Sequence, residues 1–250
     1  MSEECHEICF IAPSESLAQR AKKIIRQREL SIPVYTAVLE DAVTLAKDMI
    51  QQGTWLFISR GVTRELLEHT TQTTVVKVPV LASDYIPVFE KIQHIQGLIA
   101  FFASEPISDE LQTICYLLNI SMRQYQFSDT TSCRACVQQA VKDGAVWGVG
   151  GVVSAQYAQE AGLPYTVTES SDSAIFQAIE TACQLCQLQK ENTQKQERLQ
   201  IQLERYQNIL NYTHDAIVAV DAQGRVEVTN RVAENMLDQT QKPFIGKPVE

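Results

Sequence analysis

A junction between an apolar run and a helix, at residues 146–161, constrains the fold more than any other stretch of the sequence. The apolar residues 146–149 end in Gly150 and Gly151, and a helical pattern follows as far as Gly162. Glycines allow other groups to approach the backbone closely, and the first turn of a helix offers unpaired N–H groups to an anion. This arrangement is typical of strand–turn–helix units in α/β proteins, where the turn either binds a ligand or only links the two elements.

A second junction of the same kind occurs earlier in the chain. Residues 55–58 are apolar, and Ser59, Arg60 and Gly61 lead from them into a short helix that begins near Thr63. We therefore expect each junction to lie at the carboxyl end of a buried strand, in its own half of the protein.

Short apolar runs alternate with amphipathic helical stretches from residue 6 to residue 168. This alternation predicts an α/β protein with parallel sheets and right-handed crossovers. The pattern restarts near residue 83, which predicts two Rossmann-like or flavodoxin-like lobes, residues 1–82 and 83–170. Two such lobes facing one another would enclose a cleft, as in periplasmic binding proteins. We expect a helix from residue 172 to return to the first lobe, so that residues 1–190 form one bilobed domain.

That last helix is predicted to be long, because no glycine or proline interrupts the chain between residues 172 and 210. Residues 187–198 are almost wholly polar, which is typical of a solvated connector between domains, and we assign the connector to residues 191–210. Apolar residues then return at helical spacing; they are Leu199, Leu203, Tyr206 and Leu210. This stripe either pairs with a second copy of the chain as a short coiled coil or packs on the following domain, and the sequence leaves both alternatives open.

The charge of the chain argues against some classes of partner. With 21 Lys and Arg against 30 Asp and Glu, the formal net charge is −9, which disfavours general binding to nucleic acid or to an anionic membrane. The N-terminus is acidic and lacks the basic start and apolar core of a signal peptide, and no apolar run is long enough to span a membrane. We therefore expect a cytoplasmic protein that does not associate with membranes.

The seven cysteines include two pairs with the spacing of zinc ligands, Cys133 with Cys136 and Cys183 with Cys186. The separation between the pairs is far longer than in a zinc ribbon, and no glycine-rich knuckle follows either pair. The alternative is that each pair occupies one face of a helix as small, half-buried residues. We favour that alternative and expect neither a metal nor a cofactor, while a redox role for Cys133 and Cys136 stays open.

Four motifs lie in order along the chain. They are Ile58-Ser59-Arg60-Gly61-x-Thr63, then Val78-Pro79-Val80 with Ser83-Asp84-Tyr85-Ile86, then Gly148-Val149-Gly150-Gly151 through Ala158 to Gly162-Leu163, and last Glu169-Ser170-Ser171-Asp172-Ser173-Ala174-Ile175. Together they resemble the N-terminal sensor domain of the propionate catabolism activators, which are sigma-54-dependent transcriptional regulators. The resemblance covers residues 6–190, and Val62 departs from it because family members often have a second glycine there.

The end of the chain resembles a different module. Residues 216–220 and 226–229 predict a β-hairpin around Gly224, and Asn230 then caps a short helix through Leu237. With the segment Phe244-Ile245-Gly246-Lys247-Pro248, this pattern is similar to the start of a PAS domain. We expect residues 211–250 to be the N-terminal part of such a domain.

The resemblance implies a function as well as a fold. Sensor domains of this family respond to small carboxylates, such as 2-methylcitrate in the propionate activators, and an ATPase domain and a helix-turn-helix domain follow them. No GxxxxGK[ST] phosphate-binding loop is present in these 250 residues. We therefore expect contacts with sigma-54 RNA polymerase and with DNA only through domains outside these residues.

The two junctions supply the residues that such a carboxylate needs. Arg60 offers a planar charge suited to bidentate pairing with a carboxylate, and Ser59 and Thr63 offer hydroxyls on either side of Gly61. From the second half, Gly150, Gly151 and Ser154 would form a matching backbone nest. Ser14 and Ser104 follow strands at equivalent ends, although a simple N-cap role is the alternative for both.

Two other functions are weighed against carboxylate sensing. A two-lobed α/β protein can be a lyase or an enzyme that uses Cys133 or Cys136, but no histidine or carboxylate pair stands in a catalytic arrangement with a nucleophile. We therefore do not expect an enzyme. The other alternative is a ligand-free dimerisation or docking module built on the long helix.

Overall fold

The first lobe is a parallel sheet whose two central strands are completely buried. The computed structural model describes residues 7–236 and residue 246. The strands of this sheet are β1 (Ile8–Ala12), β2 (Val34–Thr36), β3 (Leu56–Ser59) and β4 (Thr74–Lys77), in the order β2-β1-β3-β4. Every residue of β1 and β3 is buried, which explains why the sequence shows apolar runs there rather than alternation.

Helices cover both faces of this sheet. They are α1 (Glu15–Gln27), α2 (Leu39–Gln51) and α3 (Gly61–Thr71). Phe10 and Ile58 pack on the side of α1, and Cys9 and Phe57 pack on the opposite side, against α2 and α3. Glu40 and Asp41 lie in the first turn of α2, where a negative charge favours the helix.

The second lobe repeats this plan. Its strands are β5 (Leu98–Ala103), β6 (Met122–Gln126), β7 (Ala145–Gly150) and β8 (Tyr165–Val167), parallel and in the order β6-β5-β7-β8. Its helices are α4 (Ile86–Ile92), α5 (Asp109–Leu117), α6 (Thr130–Lys142) and α7 (Val152–Glu160), and a 3₁₀ turn at Ala82–Tyr85 leads into α4. The prediction of two parallel-sheet α/β lobes is confirmed.

The chain passes between the lobes twice. Residues 78–81 lead from β4 to the 3₁₀ turn of the second lobe, and residues 168–171 lead back from β8. We call the second segment the return crossover. In both sheets the strand order reverses beside the first strand, between β1 and β3 and between β5 and β7. Ligands of open α/β sheets bind outside the carboxyl ends of the strands at such reversals.

The return crossover leads directly into α8 (Asp172–Tyr212). The first turns of α8 pack into the core of the first lobe, where Ile175, Ile179 and Ala182 lie against Phe10 and Ile58. The first lobe therefore contains the beginning of a helix that continues far beyond it.

The chain divides into two compact units, residues 1–187 and 188–250. In the second unit, β9 (Val218–Val220) and β10 (Val226–Thr229) form an antiparallel hairpin, and α9 (Arg231–Met236) follows. The Asn230 side chain caps α9 by accepting a hydrogen bond from the Ala233 N–H at 2.9 Å. Leu237 and most of residues 244–248 lie outside the described residues, so a PAS domain stays a prediction.

Within residues 7–236, no helix is both long enough and apolar enough to cross a membrane.

Candidate ligand-binding cleft

A cavity of about 330 Å³ lies between the two lobes, at the carboxyl ends of their strands. The first lobe lines it with residues that follow β1, β3 and β4, among them Pro13, Arg60 and Val78. The second lobe lines it with residues that follow β5 and β7, among them Ser104 and Gly151. Both strand-order reversals therefore face one cleft, and its volume is in the range of small-molecule sites.

Arg60 is a cationic side chain that lines this cleft. It precedes the first residue of α3, and its extended backbone (φ −140°, ψ 161°) turns the chain from β3 into the helix. Its guanidinium donates from Nη1 to the Ser170 hydroxyl at 3.0 Å and from Nη2 to the Thr168 carbonyl oxygen at 2.9 Å. Arg60 thus lines the cleft and also binds the return crossover.

The groups around Arg60 keep it charged. Burial lowers the pKa of Arg60, and the neighbouring Tyr85, Asp84 and Glu169 act against that shift. Arginine holds its proton far above neutral pH, so Arg60 stays charged in the cleft. Asp84 is itself buried; its Oδ2 accepts a hydrogen bond from the Leu81 N–H at 2.9 Å, and its Oδ1 has no partner among the described residues.

The other residues of the first junction divide between the cleft and the core. Gly61 and Thr63 line the cleft, although the Thr63 hydroxyl accepts a long hydrogen bond of 3.4 Å from the Leu39 N–H. Ser59 is fully buried, and its hydroxyl donates to the Ile11 carbonyl oxygen at 2.8 Å. The β1–β3 pairing ends at Phe10 and Ile58, so the Ser59 side chain satisfies the first carbonyl beyond it. The structure therefore does not bring the Ser59 hydroxyl to the cleft.

The second junction contributes backbone rather than hydroxyls. Gly150 and Gly151 line the cleft, and a Cβ at Gly150 would overlap the Phe102 carbonyl oxygen and the Tyr165 hydroxyl. Ser154 also lines the cleft but is fully buried, and its hydroxyl lies 2.6 Å from the Tyr165 hydroxyl. The Ser154 hydroxyl is thus already engaged in a hydrogen bond within its own lobe.

The two weaker candidates are placed differently. Ser14 caps α1 by accepting from the Leu17 N–H at 3.3 Å, and it lines a small cavity beside the cleft rather than the cleft itself. Ser104 lines the cleft, and its carbonyl oxygen accepts from Gln126 Nε2 at 3.0 Å.

Four further residues line the cleft that the motif patterns did not single out as ligands. Lys77 ends β4, Glu105 follows β5, Tyr85 ends the 3₁₀ turn, and Thr168 follows β8. Lys77 and Glu105 form an ion pair from opposite lobes. The only sequence signal for Lys77 and Glu105 was that each lies at or shortly after the end of a strand. The sequence does not show that residues of opposite lobes pair with one another.

Much of the remaining wall is apolar. Side chains from both lobes contribute, including Val62, Val78, Phe102, Ile107 and Phe127. The cleft therefore places the Arg60 cation beside a largely apolar wall.

Among the described residues, no cysteine lines the cleft. Within the part of the chain that the structure describes, six cysteines are free thiols and no three metal-ligating side chains cluster together. Cys133 is fully buried on α6, and burial raises the pKa of its thiol to about 12. Cys136 on the same helix is half-buried and donates to the Gln126 carbonyl oxygen.

One solved structure supports this architecture by its similarity. A crystal structure of an NtrC family transcriptional regulator from Clostridium acetobutylicum is 20% identical, with a TM-score of 0.65 over 73% of this chain and 97% of that chain. An ABC domain from Streptococcus pneumonia in complex with L-Trp is 10% identical, with a TM-score of 0.41 over 73% and 85% of the two chains. A comparison with curated protein sequences finds no match.

The family model described as propionate catabolism activator matches residues 26–192, which is more than half of the chain. The matched residues include Arg60 and Gly150, which line the cleft. The chain therefore belongs to the propionate catabolism activator family and contains the sensor domain of a transcriptional regulator.

Proposed function

We propose that the cleft binds a small organic acid, of the kind represented by 2-methylcitrate, and that binding controls an ATPase domain farther along the full-length regulator. The observation that best supports this proposal is the position of Arg60. Its charged guanidinium belongs to the residue that precedes the N-terminus of α3, and it lines a cavity of about 330 Å³ between two lobes. Guanidinium groups bind carboxylates with two parallel hydrogen bonds.

The helix ends at the cleft support the same ligand class. Helix α3 follows Arg60 and α7 follows Gly151, and neither has a side chain capping its first N–H groups. Helices α1, α5 and α6 are capped by Ser14, Ser108 and Asp129 respectively. Uncapped N–H groups and the positive end of the helix dipole favour an anion, so α3 and α7 would bind one from opposite sides.

Arg60 also offers a route from the cleft to α8. Its two donors hold Thr168 and Ser170, and the return crossover continues at once into α8. An acid that bonds to Arg60 competes with those two acceptors, so binding would loosen or rearrange the return crossover. Arg20 holds the same region from α1, through a 2.7 Å bond to Asp172. A change in the return crossover on ligand binding would thereby be transmitted to α8, which continues beyond the sensor domain.

Calorimetry on the whole chain tests the proposal. We would titrate 2-methylcitrate, citrate and succinate, each beside its neutral amide analogue. We expect heat from at least one acid and none from the matching amide. A Gly151→Leu variant provides a second test. A Cβ at this position meets nothing within 4 Å, and the rest of the leucine side chain would extend into the cleft that Gly151 lines. We expect it to stay folded and lose binding.

Hydrogen exchange of residues 165–175, with and without the acid that binds, tests the route to α8. We expect exchange in this segment to change on binding. Absence of heat with every acid would contradict the proposed ligand class, and unchanged exchange despite binding would contradict the route.

A second candidate function is self-association through the distal part of α8. Leu199, Leu203 and Tyr206 lie one helical turn apart, and each is more than half exposed among the described residues. Such a stripe favours pairing with a second copy of the same helix. This role is compatible with ligand sensing, because a paired helix would present the same signal in both copies.

A further inference from the structure

An ion pair crosses the cleft between Lys77 and Glu105. Lys77 is the last residue of β4 in the first lobe, and Glu105 follows β5 in the second. Arg64, on α3, places its Nη1 3.9 Å from Glu105 Oε1 and thus adds a second positive charge from the first lobe. Both Lys77 and Glu105 line the same cavity as Arg60.

The second lobe holds Glu105 in place through its backbone. Gln124 on β6 donates from Nε2 to the Glu105 carbonyl oxygen at 2.7 Å and accepts from the Ile107 N–H at 3.0 Å. Gln126 on the same strand donates to the Ser104 carbonyl oxygen at 3.0 Å. These hydrogen bonds fix the backbone on both sides of Glu105, and its side chain lines the cleft.

Stability alone does not explain this pair. The Lys77 and Glu105 side chains are 40% and 48% exposed, and ion pairs as exposed as this one contribute little to folding. What the pair does provide is a carboxylate next to Lys77 when the cleft holds no ligand.

Lys77 and Arg60 come from neighbouring strand ends. Ser59 and Lys77 are paired in the sheet, and Arg60 directly follows β3. Neighbouring strands lie about 5 Å apart, so the two cations rise from the same edge of one sheet. A small molecule with two carboxylates can reach both from inside one cavity, whereas a molecule with one carboxylate satisfies only one of them.

We propose that Lys77 is a specificity-determining residue that binds a second carboxylate of the ligand, and that Glu105 occupies the position of this carboxylate in the ligand-free protein. This inference rests on the proposed function. It adds that the same site distinguishes acids by their number of carboxylates. An acid with two or more carboxylates must displace Glu105 from Lys77. An acid with one carboxylate binds at Arg60 and leaves the pair intact.

The test compares succinate with succinamate, which has the same length but only one carboxylate. Both are titrated by calorimetry into the whole chain, the Lys77→Gln and Glu105→Gln variants, and a Lys47→Gln control on the exposed side of α2. We expect Lys77→Gln to lower the affinity for succinate by about fivefold, which corresponds to the loss of one exposed charge pair. The affinity for succinamate should not change. Glu105→Gln should raise the affinity for succinate, because the competing carboxylate is gone. Lys47→Gln should change the affinity for neither acid.

The outcomes separate this inference from the function on which it rests. Heat from neither acid in an unaltered protein that still binds 2-methylcitrate or citrate would overturn this inference alone, whereas heat from none of these acids would overturn both. Heat from the acids, with an equal loss for succinate and succinamate in Lys77→Gln, would overturn the role of Lys77 alone. Weaker succinate binding in Glu105→Gln would overturn competition by Glu105 and would instead show that the pair only holds the lobes together. Thermal unfolding of each variant verifies that it is folded.

Discussion

The Nη2 group of Arg60 donates a 2.9 Å hydrogen bond to the carbonyl oxygen of Thr168, and this bond joins the end of β3 to the segment that leads into α8. The Thr168 backbone N–H in turn donates to the Gly150 carbonyl oxygen at 2.8 Å. One residue of the return crossover therefore connects the two junctions that face the cleft. The Thr168 hydroxyl is buried without a partner among the described residues, so a polar group of a ligand would complete this arrangement.

Ser170 is the second acceptor of Arg60, and its loss should destabilise the sensor domain. Ser170→Ala removes a buried hydrogen bond to a charged donor, and we expect the free energy of unfolding to fall by about 1–3 kcal/mol. Chemical denaturation monitored by circular dichroism measures the change. Ser173→Ala, at an exposed position of α8, is the matched control. Equal stability of the two variants would show that the Arg60–Ser170 bond does not form.

The two glycines at the end of β7 should respond differently to the same substitution. A methyl group at Gly150 would overlap the Phe102 carbonyl oxygen and the Tyr165 hydroxyl, whereas at Gly151 it would meet nothing within 4 Å. We expect Gly150→Ala to lower the free energy of unfolding by about 1–3 kcal/mol, the usual cost of overpacking. Gly151→Ala should stay near the stability of the unaltered protein. The two thermal unfolding curves should therefore separate clearly, and coincident curves would contradict the close approach at Gly150.

Cys133 should resist alkylation in the folded protein. Burial raises the pKa of its thiol to about 12, so the reactive thiolate forms only when the pH rises far above neutral. We expect iodoacetamide at pH 8 to modify the half-buried Cys136 faster than Cys133, and to modify both at similar rates after unfolding. Mass spectrometry of the peptides measures both rates. Equal modification in the folded state would reopen the redox role that the sequence allows for this pair.

Self-association through α8 predicts a change in oligomeric state. Leu199→Asp and Leu203→Asp place charges on the exposed apolar stripe, and we expect each to dissociate the oligomer without altering acid binding. Gln200→Asp, on the same exposed part of the helix, should leave the oligomer intact. Light scattering after size exclusion measures the mass of each species. A monomeric unaltered chain would contradict this role.

The sequence is sufficient to predict the lobes because the relevant signal is local. Fully buried strands such as β1 and β3 appear as continuous apolar runs, and the junctions at Arg60 and Gly150 mark the carboxyl ends of β3 and β7. The side-chain partners are a different matter, because they depend on contacts between distant segments. Ser59 bonds to a neighbouring strand, and Lys77 pairs with the opposite lobe.

Binding of an organic acid by Arg60 is measured most directly by calorimetry of Arg60→Ala beside Arg26→Ala, which removes the same charge from an exposed position on α1. The acids are 2-methylcitrate, citrate and succinate, and circular dichroism verifies that both variants are folded. We expect at least one acid to bind the unaltered chain and Arg26→Ala equally well, and to bind Arg60→Ala at least about thirtyfold more weakly, as expected when a charge pair is lost from a site of this kind. Equal affinity in Arg60→Ala, or no heat from any acid in the unaltered chain, would contradict the proposal.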